Sequence, residues 1–104
     1  MMTKPMTIAI PHQLGLAEAK RRVDVGREQA RAQLARVANE IDDRWEGDRL
    51  SFRIVALGQT ITGRLDVAEQ QVLVEVDLPW MLSMLANKLA PKIRQQGTLL
   101  LEKK

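Results

Sequence analysis

Three successive runs of alternating residues in the middle of the chain constrain its fold more than anything else in it. Leu50, Phe52, Ile54 and Ala56 alternate with Ser51, Arg53 and Val55. Ile61, Gly63, Leu65 and Val67 alternate within Gln59 to Val67, and Val72, Val74, Val76 and Leu78 stand opposite Glu75 and Asp77. A period of two places each apolar set on one face of a strand. Gly58 and the stretch Ala68-Glu69-Gln70-Gln71 separate the runs, and connections this short favour antiparallel hairpins. Such a sheet has one apolar and one polar face, so a second layer must cover the apolar side.

The flanking segments supply that layer. Thr7-Ile8-Ala9-Ile10 reads as a short strand closed by Pro11, which cannot donate to a ladder. From about Leu14 to Ile41 the pattern turns helical, with Leu16, Ala19, Val23, Gly26, Ala30, Leu34, Val37 and Ile41 on one face at steps of three and four. Glu18 with Arg22 and Arg36 with Glu40 sit at the four-residue spacing that supports a helix. Gly26 on the inner stripe suits a helix passing close to a strand. Gly47 between Glu46 and Asp48 marks a tight turn, with Arg44-Trp45 as a small extra strand before it and Trp45 capping one end of the core. A second helix follows Pro79. Pro91 kinks it or starts a new turn, and Gly97 stops it. The tail Thr98 to Lys104 reads as a short strand, a docking segment or a frayed end. The expectation is a single α+β domain over residues 1–104, two-layered, in the order β-α-β-β-β-α, with a mainly antiparallel sheet, two helices on one face and short flexible ends at 1–6 and 98–104.

The second helix carries more apolar surface than one face can hide. Leu82, Leu85, Leu89 and Ile93 form a core stripe, which leaves Trp80, Met84 and Pro91 on the opposite side with polar Asn87 among them. Trp80, Met81, Met84 and Pro91 are therefore the candidate partner-binding residues, with Lys88, Lys92 and Arg94 beside them as basic contacts to an anionic coat. The competing reading folds Trp80 back over a sheet edge and leaves Met84 an ordinary exposed residue.

Chemistry is sparse. The absence of cysteine excludes disulfides, zinc thiolates and thiol catalysis. His12 is the single histidine, so no histidine pair builds a metal site; a structural or solvent-facing role suits it better. Glu46 and Asp48 flank a turn rather than converging. Ser51 and Ser83 lack a nucleophile elbow, and no glycine loop precedes either helix to cradle phosphate. No catalytic residue, metal or cofactor is implied, and the expectation is a protein that is not an enzyme. No apolar stretch approaches the roughly 20 residues of a membrane span, and the N-terminus lacks an apolar signal region, which points to a soluble cytoplasmic protein. The net charge of +3 and pI near 9.7 permit anionic partners. Lys20, Arg21, Arg22, Arg27, Arg31 and Arg36 are nevertheless interleaved with Glu18, Asp24, Glu28 and Glu40, the pattern of a solvated helix face. One Phe and two Trp, with no pair alternating on a strand, argue against base stacking. Arg53, Thr60, Thr62, Arg64, Asp66, Glu75 and Asp77 fit cross-strand pairing on the polar sheet face.

Ile10-Pro11-His12-Gln13-Leu14-Gly15-Leu16-Ala17-Glu18-Ala19, Trp45-Glu46-Gly47-Asp48-Arg49-Leu50-Ser51-Phe52 and Glu75-Val76-Asp77-Leu78-Pro79-Trp80-Met81-Leu82 together resemble the polyhydroxyalkanoic acid system protein family over nearly the whole chain. His12, Leu14, Trp45, Gly47, Asp48, Leu50, Phe52, Gly63 and Leu82 occupy its motif positions. The first helix is longer and more basic, and the Leu-rich, Lys-ended tail is extra, compared with shorter members. The family is associated with bacterial loci that make and use polyhydroxyalkanoate storage polyester. The resemblance implies a noncatalytic accessory protein that binds a granule surface, a granule-associated protein or a second copy of itself as a homodimer. A basic nucleic-acid-binding regulator and a carrier of a lipophilic hydroxyacyl ligand are the alternatives.

Overall fold

The structure is a computed structural model and describes residues 5–102. It contains β1 (Met6–Pro11), α1 (Leu16–Leu34), β2 (Glu40–Glu46), β3 (Arg49–Ala56), β4 (Gln59–Val67), β5 (Gln71–Asp77), a 3-10 segment (Trp80–Leu85) and α2 (Ala86–Leu100). The strands form one antiparallel sheet in the order β1-β5-β4-β3-β2. Successive strands from β2 to β5 are neighbours joined by hairpins, and β1 adds to the free side of β5. The α+β fold with two helices packed on the sheet agrees with the sequence pattern.

All three alternating runs keep the faces expected of them. Leu50 pairs with Leu65 and Leu65 with Val74. Ile8, opposite Val74 on β1, completes a row directed at the helices. The core gathers Ile8, Ile10, Leu50, Val67, Val72, Val74, Val76 and Leu78 from the sheet side with Ala19 and Val23 from α1 and Leu101 from the end of α2. Each large side chain buried here contributes about 1.5–3 kcal/mol relative to exposure. The opposite face is polar and paired across strands. Arg64 bridges Glu75 at 3.3 Å and Asp77 at 3.0 Å, Arg49 meets Asp66 at 2.6 Å, and Arg53 meets Glu40 at 3.1 Å.

Helix α1 is shorter than its apolar stripe. It ends at Leu34, whose carbonyl accepts the N–H groups of Val37 and Ala38 at 3.0 and 2.8 Å, and the Asn39 N–H then reaches the Val55 carbonyl at 2.7 Å. Ile41 therefore belongs to a strand, and the small strand expected at Arg44-Trp45 runs the full length of β2. Its alternation is masked in sequence by Asp42, Asp43, Arg44 and Glu46. Ile41, Asp43 and Trp45 pair with the inward Ile54, Phe52 and Leu50. Asp43 is tolerated on that side because Arg27 and Arg31 of α1 meet it at 3.3 and 3.1 Å. Charges on an edge strand also discourage pairing with a second sheet. Arg36 and Glu40 do not form a helical pair, since Glu40 lies in β2. Glu18 and Arg22 do, at 2.9 Å.

Two glycines serve the contact between layers. Gly26 faces Leu100 of α2 rather than a strand, and Gly97 lies against Ile10 of β1. Gly97 does not stop the helix: α2 continues to Leu100, and Thr98–Leu100, expected as part of a tail, complete it and bring Leu101 to 4% exposure in the core. Pro91 stands inside α2 without ending it. Met6 likewise belongs to β1, whereas residues 1–4, Lys103 and Lys104 lie outside the described residues.

Gly63 has a different neighbourhood. A Cβ there would meet the Phe52 ring and stand 2.5 Å from the Glu75 carbonyl oxygen. Backbone cannot yield as a side-chain end can, so Gly63→Ala should cost about 1–3 kcal/mol through overpacking. Gly97→Ala meets only the flexible end of Ile10 and gains roughly 0.5–1 kcal/mol of helix propensity, so it should cost less than Gly63→Ala. Urea denaturation of the two variants beside wild type checks this ordering.

Candidate functional site

Several motif residues, among them His12, Trp45, Gly47 and Asp48, lie at one end of the sheet and hold the fold together there. His12, only 7% exposed, follows β1. Its Nδ1 accepts the Leu14 N–H at 3.2 Å, and its Nε2 donates to the Ala68 carbonyl at 3.0 Å. With Nδ1 accepting, Nε2 is the donor, and the two bonds tie the turn into α1 to the β4–β5 connection. Of the two expectations for His12, structural or solvent-facing, the buried position excludes the second. Trp45 sits half-buried between β2 and α1. Its indole N–H donates to Asp24 Oδ1 at 2.9 Å, while Lys20 lies 5.0 Å above its ring and donates to the Gly47 carbonyl at 2.7 Å. Asp48 is 3.7 Å from the same ammonium. Gly47, at φ 61°, supplies the first central position of the two-residue β2–β3 turn. Phe52 fills the space left by Gly63.

This frame also anchors α1. Glu18 accepts hydrogen bonds from Arg21 at 2.8 and 2.7 Å and from Arg22 at 2.9 Å. Arg22 reaches across to the carbonyls of Leu100 and Glu102, locking α1 to the end of α2. Arg27 bonds Asp24 at 2.9 Å. The basic run on α1 is therefore largely engaged within the protein.

At the other end of the sheet the surface changes character. The Glu40–Val55 pair places the start of β2 beside the end of β3, and the Ala56–Gln59 pair forms the β3–β4 turn. Asp77 stands beside Thr62, so the chain leaving β5 emerges next to that turn. Val37, Leu57 and the 3-10 segment consequently gather at this end. Trp80 is 72% exposed, Met81 52%, Met84 83% and Leu85 40%, while Val37 is 60% and Leu57 89% exposed. Six of the eight large hydrophobic side chains exposed among the described residues thus share one end of the molecule. Beneath them Ile41, Phe52, Ile54 and Ile61 are only half-covered.

The expected partner-binding residues Trp80, Met81 and Met84 are brought together here, and Trp80 does not fold over a sheet edge. Leu85, expected in the core, is instead 40% exposed at the end of the 3-10 segment. Pro91 is exposed farther along α2, as are Lys88, Lys92 and Arg94. Leu57 and Val37 were not legible as members of this surface. For Leu57 the available signal is the Leu-Gly turn itself. Leu57 and Gly58 have φ of 54° and 74°, the pattern of a I′ turn, where Asn-Gly is favoured.

Residues 6–101 match the family described as "Putative polyhydroxyalkanoic acid system protein". The chain belongs to the polyhydroxyalkanoic acid system protein family. No curated protein and no solved structure matches it. The matched stretch spans both the anchored end around His12 and Trp45 and the apolar end around Trp80. No helix among the described residues is long and apolar enough to cross a membrane.

Two outcomes test this division. The Arg21 and Arg22 hydrogen bonds lower the Glu18 pKa from 4.5 to about 2, and the Trp45 indole, followed by Arg27, holds Asp24 below its ordinary value. A carboxyl whose pKa falls on folding adds stability above its ordinary range, and that stability is lost as the pH falls through the folded value. Denaturation midpoints should therefore decline as the pH is lowered from 4.5 toward 2, and Glu18→Gln should flatten the decline. Leu57→Asn should act in the opposite sense to most substitutions of a large apolar side chain. It relieves a strained left-handed leucine and supplies the preferred turn pair, raising stability by about 0.5–1 kcal/mol, read as an increase in thermal midpoint.

Proposed function

We propose that this protein is a noncatalytic accessory component of the polyhydroxyalkanoate system that acts by binding, at a storage-granule surface in the cytoplasm or to a protein seated there. The observation that carries this reading is the segregation of Trp80, Met81, Met84, Leu85, Leu57 and Val37 at one end. Isolated surface hydrophobes are ordinary, but six gathered at one end of a small molecule favour a contact surface there. Each such side chain contributes roughly 1.5–3 kcal/mol when fully removed from water. Two or three of them suffice for reversible adsorption to a polyester surface without any covalent chemistry.

Cosedimentation of the purified protein with isolated polyhydroxyalkanoate granules tests the reading. Wild type should pellet with granules, and the Trp80→Glu/Met84→Glu variant should remain soluble with an unchanged circular dichroism spectrum. Both side chains are largely exposed, so the substitutions spare the core. Granule binding that survives this double substitution in a folded protein would refute the role of the apolar end.

A further inference from the structure

The charge of the molecule is distributed as unevenly as its exposed apolar surface. From Leu78 to Leu101 there is no acidic residue, and the segment carries Lys88, Lys92 and Arg94. Outside it the formal charges cancel, so the net charge of +3 equals that of this one segment. Elsewhere among the described residues most cations are matched: Lys20, Arg21, Arg22, Arg27, Arg31, Arg44, Arg49, Arg53 and Arg64 each lie within 4.0 Å of a carboxylate, whereas Arg36, Lys88, Lys92 and Arg94 join no ion pair. Met84, Lys88 and Lys92 follow one another at four-residue steps along the exposed side of the 3-10 segment and α2. Leu99, 55% exposed, extends the same side.

A tip of tryptophan and methionine followed by unpaired cations, with no carboxylate in the same segment, matches an interface that is apolar inside and negatively charged at its boundary. A bare polyester surface would use the apolar tip and leave the cations idle. A soluble anionic protein would use the cations and leave Leu57 and Trp80 in water. We infer that the apolar end and α2 of this protein together seat on an anionic phospholipid layer, with Trp80, Met84 and Leu57 entering the acyl boundary and Lys88, Lys92 and Arg94 meeting the headgroups. This rests on the proposed surface-binding function and specifies the chemistry of that surface. Leu57 supports it independently. Its backbone conformation is unfavourable for leucine, and 89% of its surface is exposed, so folding alone gives no reason for leucine at this turn.

The test is vesicle flotation of the full chain with phosphatidylcholine alone or mixed with phosphatidylglycerol, at low and high salt, beside polyester particles stripped of lipid. Wild type should float with the anionic vesicles, less so at high salt, and Trp80 fluorescence should shift to the blue, a shift absent in Trp80→Phe. Lys88→Ala/Lys92→Ala/Arg94→Ala should weaken partitioning by about a hundredfold. Leu57→Asn should weaken it severalfold although the folded protein is more stable, a pairing of signs that damage to the fold cannot produce. Equal binding to neutral and anionic vesicles would overturn the inference. So would binding to stripped polyester with none to vesicles, which would leave the proposed function standing. Binding to neither vesicles, stripped polyester nor native granules would overturn both.

Discussion

Burial of one face of the antiparallel sheet governs this molecule, because two helices must cover the apolar side of five strands. The cover is tight where glycine permits it. Gly97 lets α2 rest against Ile10, and Gly26 lets Leu100 settle against α1. Those contacts draw both helices toward the end of the sheet that holds Leu101, Ile10 and Val72 in the core. The same arrangement leaves the other end thinly covered. There α1 stops at Leu34, the chain after β5 winds into 3-10 helix, and Ile41, Ile54 and Ile61 remain half-exposed. The apolar end is thus a consequence of where the helices are anchored.

The polar contacts around α1 explain why a basic composition does not make a basic surface. Charged groups on a helix that packs on a sheet must either face water or find partners, and here most find partners. Arg27 and Arg31 converge on the half-buried Asp43, Arg21 and Arg22 share Glu18, and Trp45 adds its indole to Asp24. Exposed pairs of this kind are individually weak. Their effect is mainly to fix which way α1 lies across β2, and a charged side chain bound in this way is not free to contact phosphate. The sequence pI near 9.7 therefore overstates the positive surface around α1.

Period-two alternation made β3, β4 and β5 legible, since each has an apolar face unbroken by charge. β2 was hidden because Asp43 occupies an inward position, and only the tertiary partners Arg27 and Arg31 make that position acceptable. The end of α1 was misplaced for a related reason. Val37 and Ile41 continue the helical stripe arithmetically, while Ile41 simultaneously fits the strand, and the long-range hydrogen bond from Asn39 to Val55 decides between them. Of the candidate site, Trp80, Met81 and Met84 could be read from excess apolar surface on one helix. Leu57 could not, because its membership depends on hairpin register bringing a distant turn beside the chain that leaves β5.

The separation of roles has a consequence for how the surface can vary. Residues of the anchored end are coupled, since moving Trp45 disturbs Asp24, Lys20 and through them the placement of α1. Side chains at the apolar end project from a turn and a 3-10 segment into solvent, with few partners to accommodate. Substitutions there come at little cost to the core, whereas substitutions at positions such as His12, Trp45 and Gly63 disturb the fold. A frame held by His12, Trp45 and Gly63 therefore leaves the exposed side chains of the apolar end freer to vary than its own.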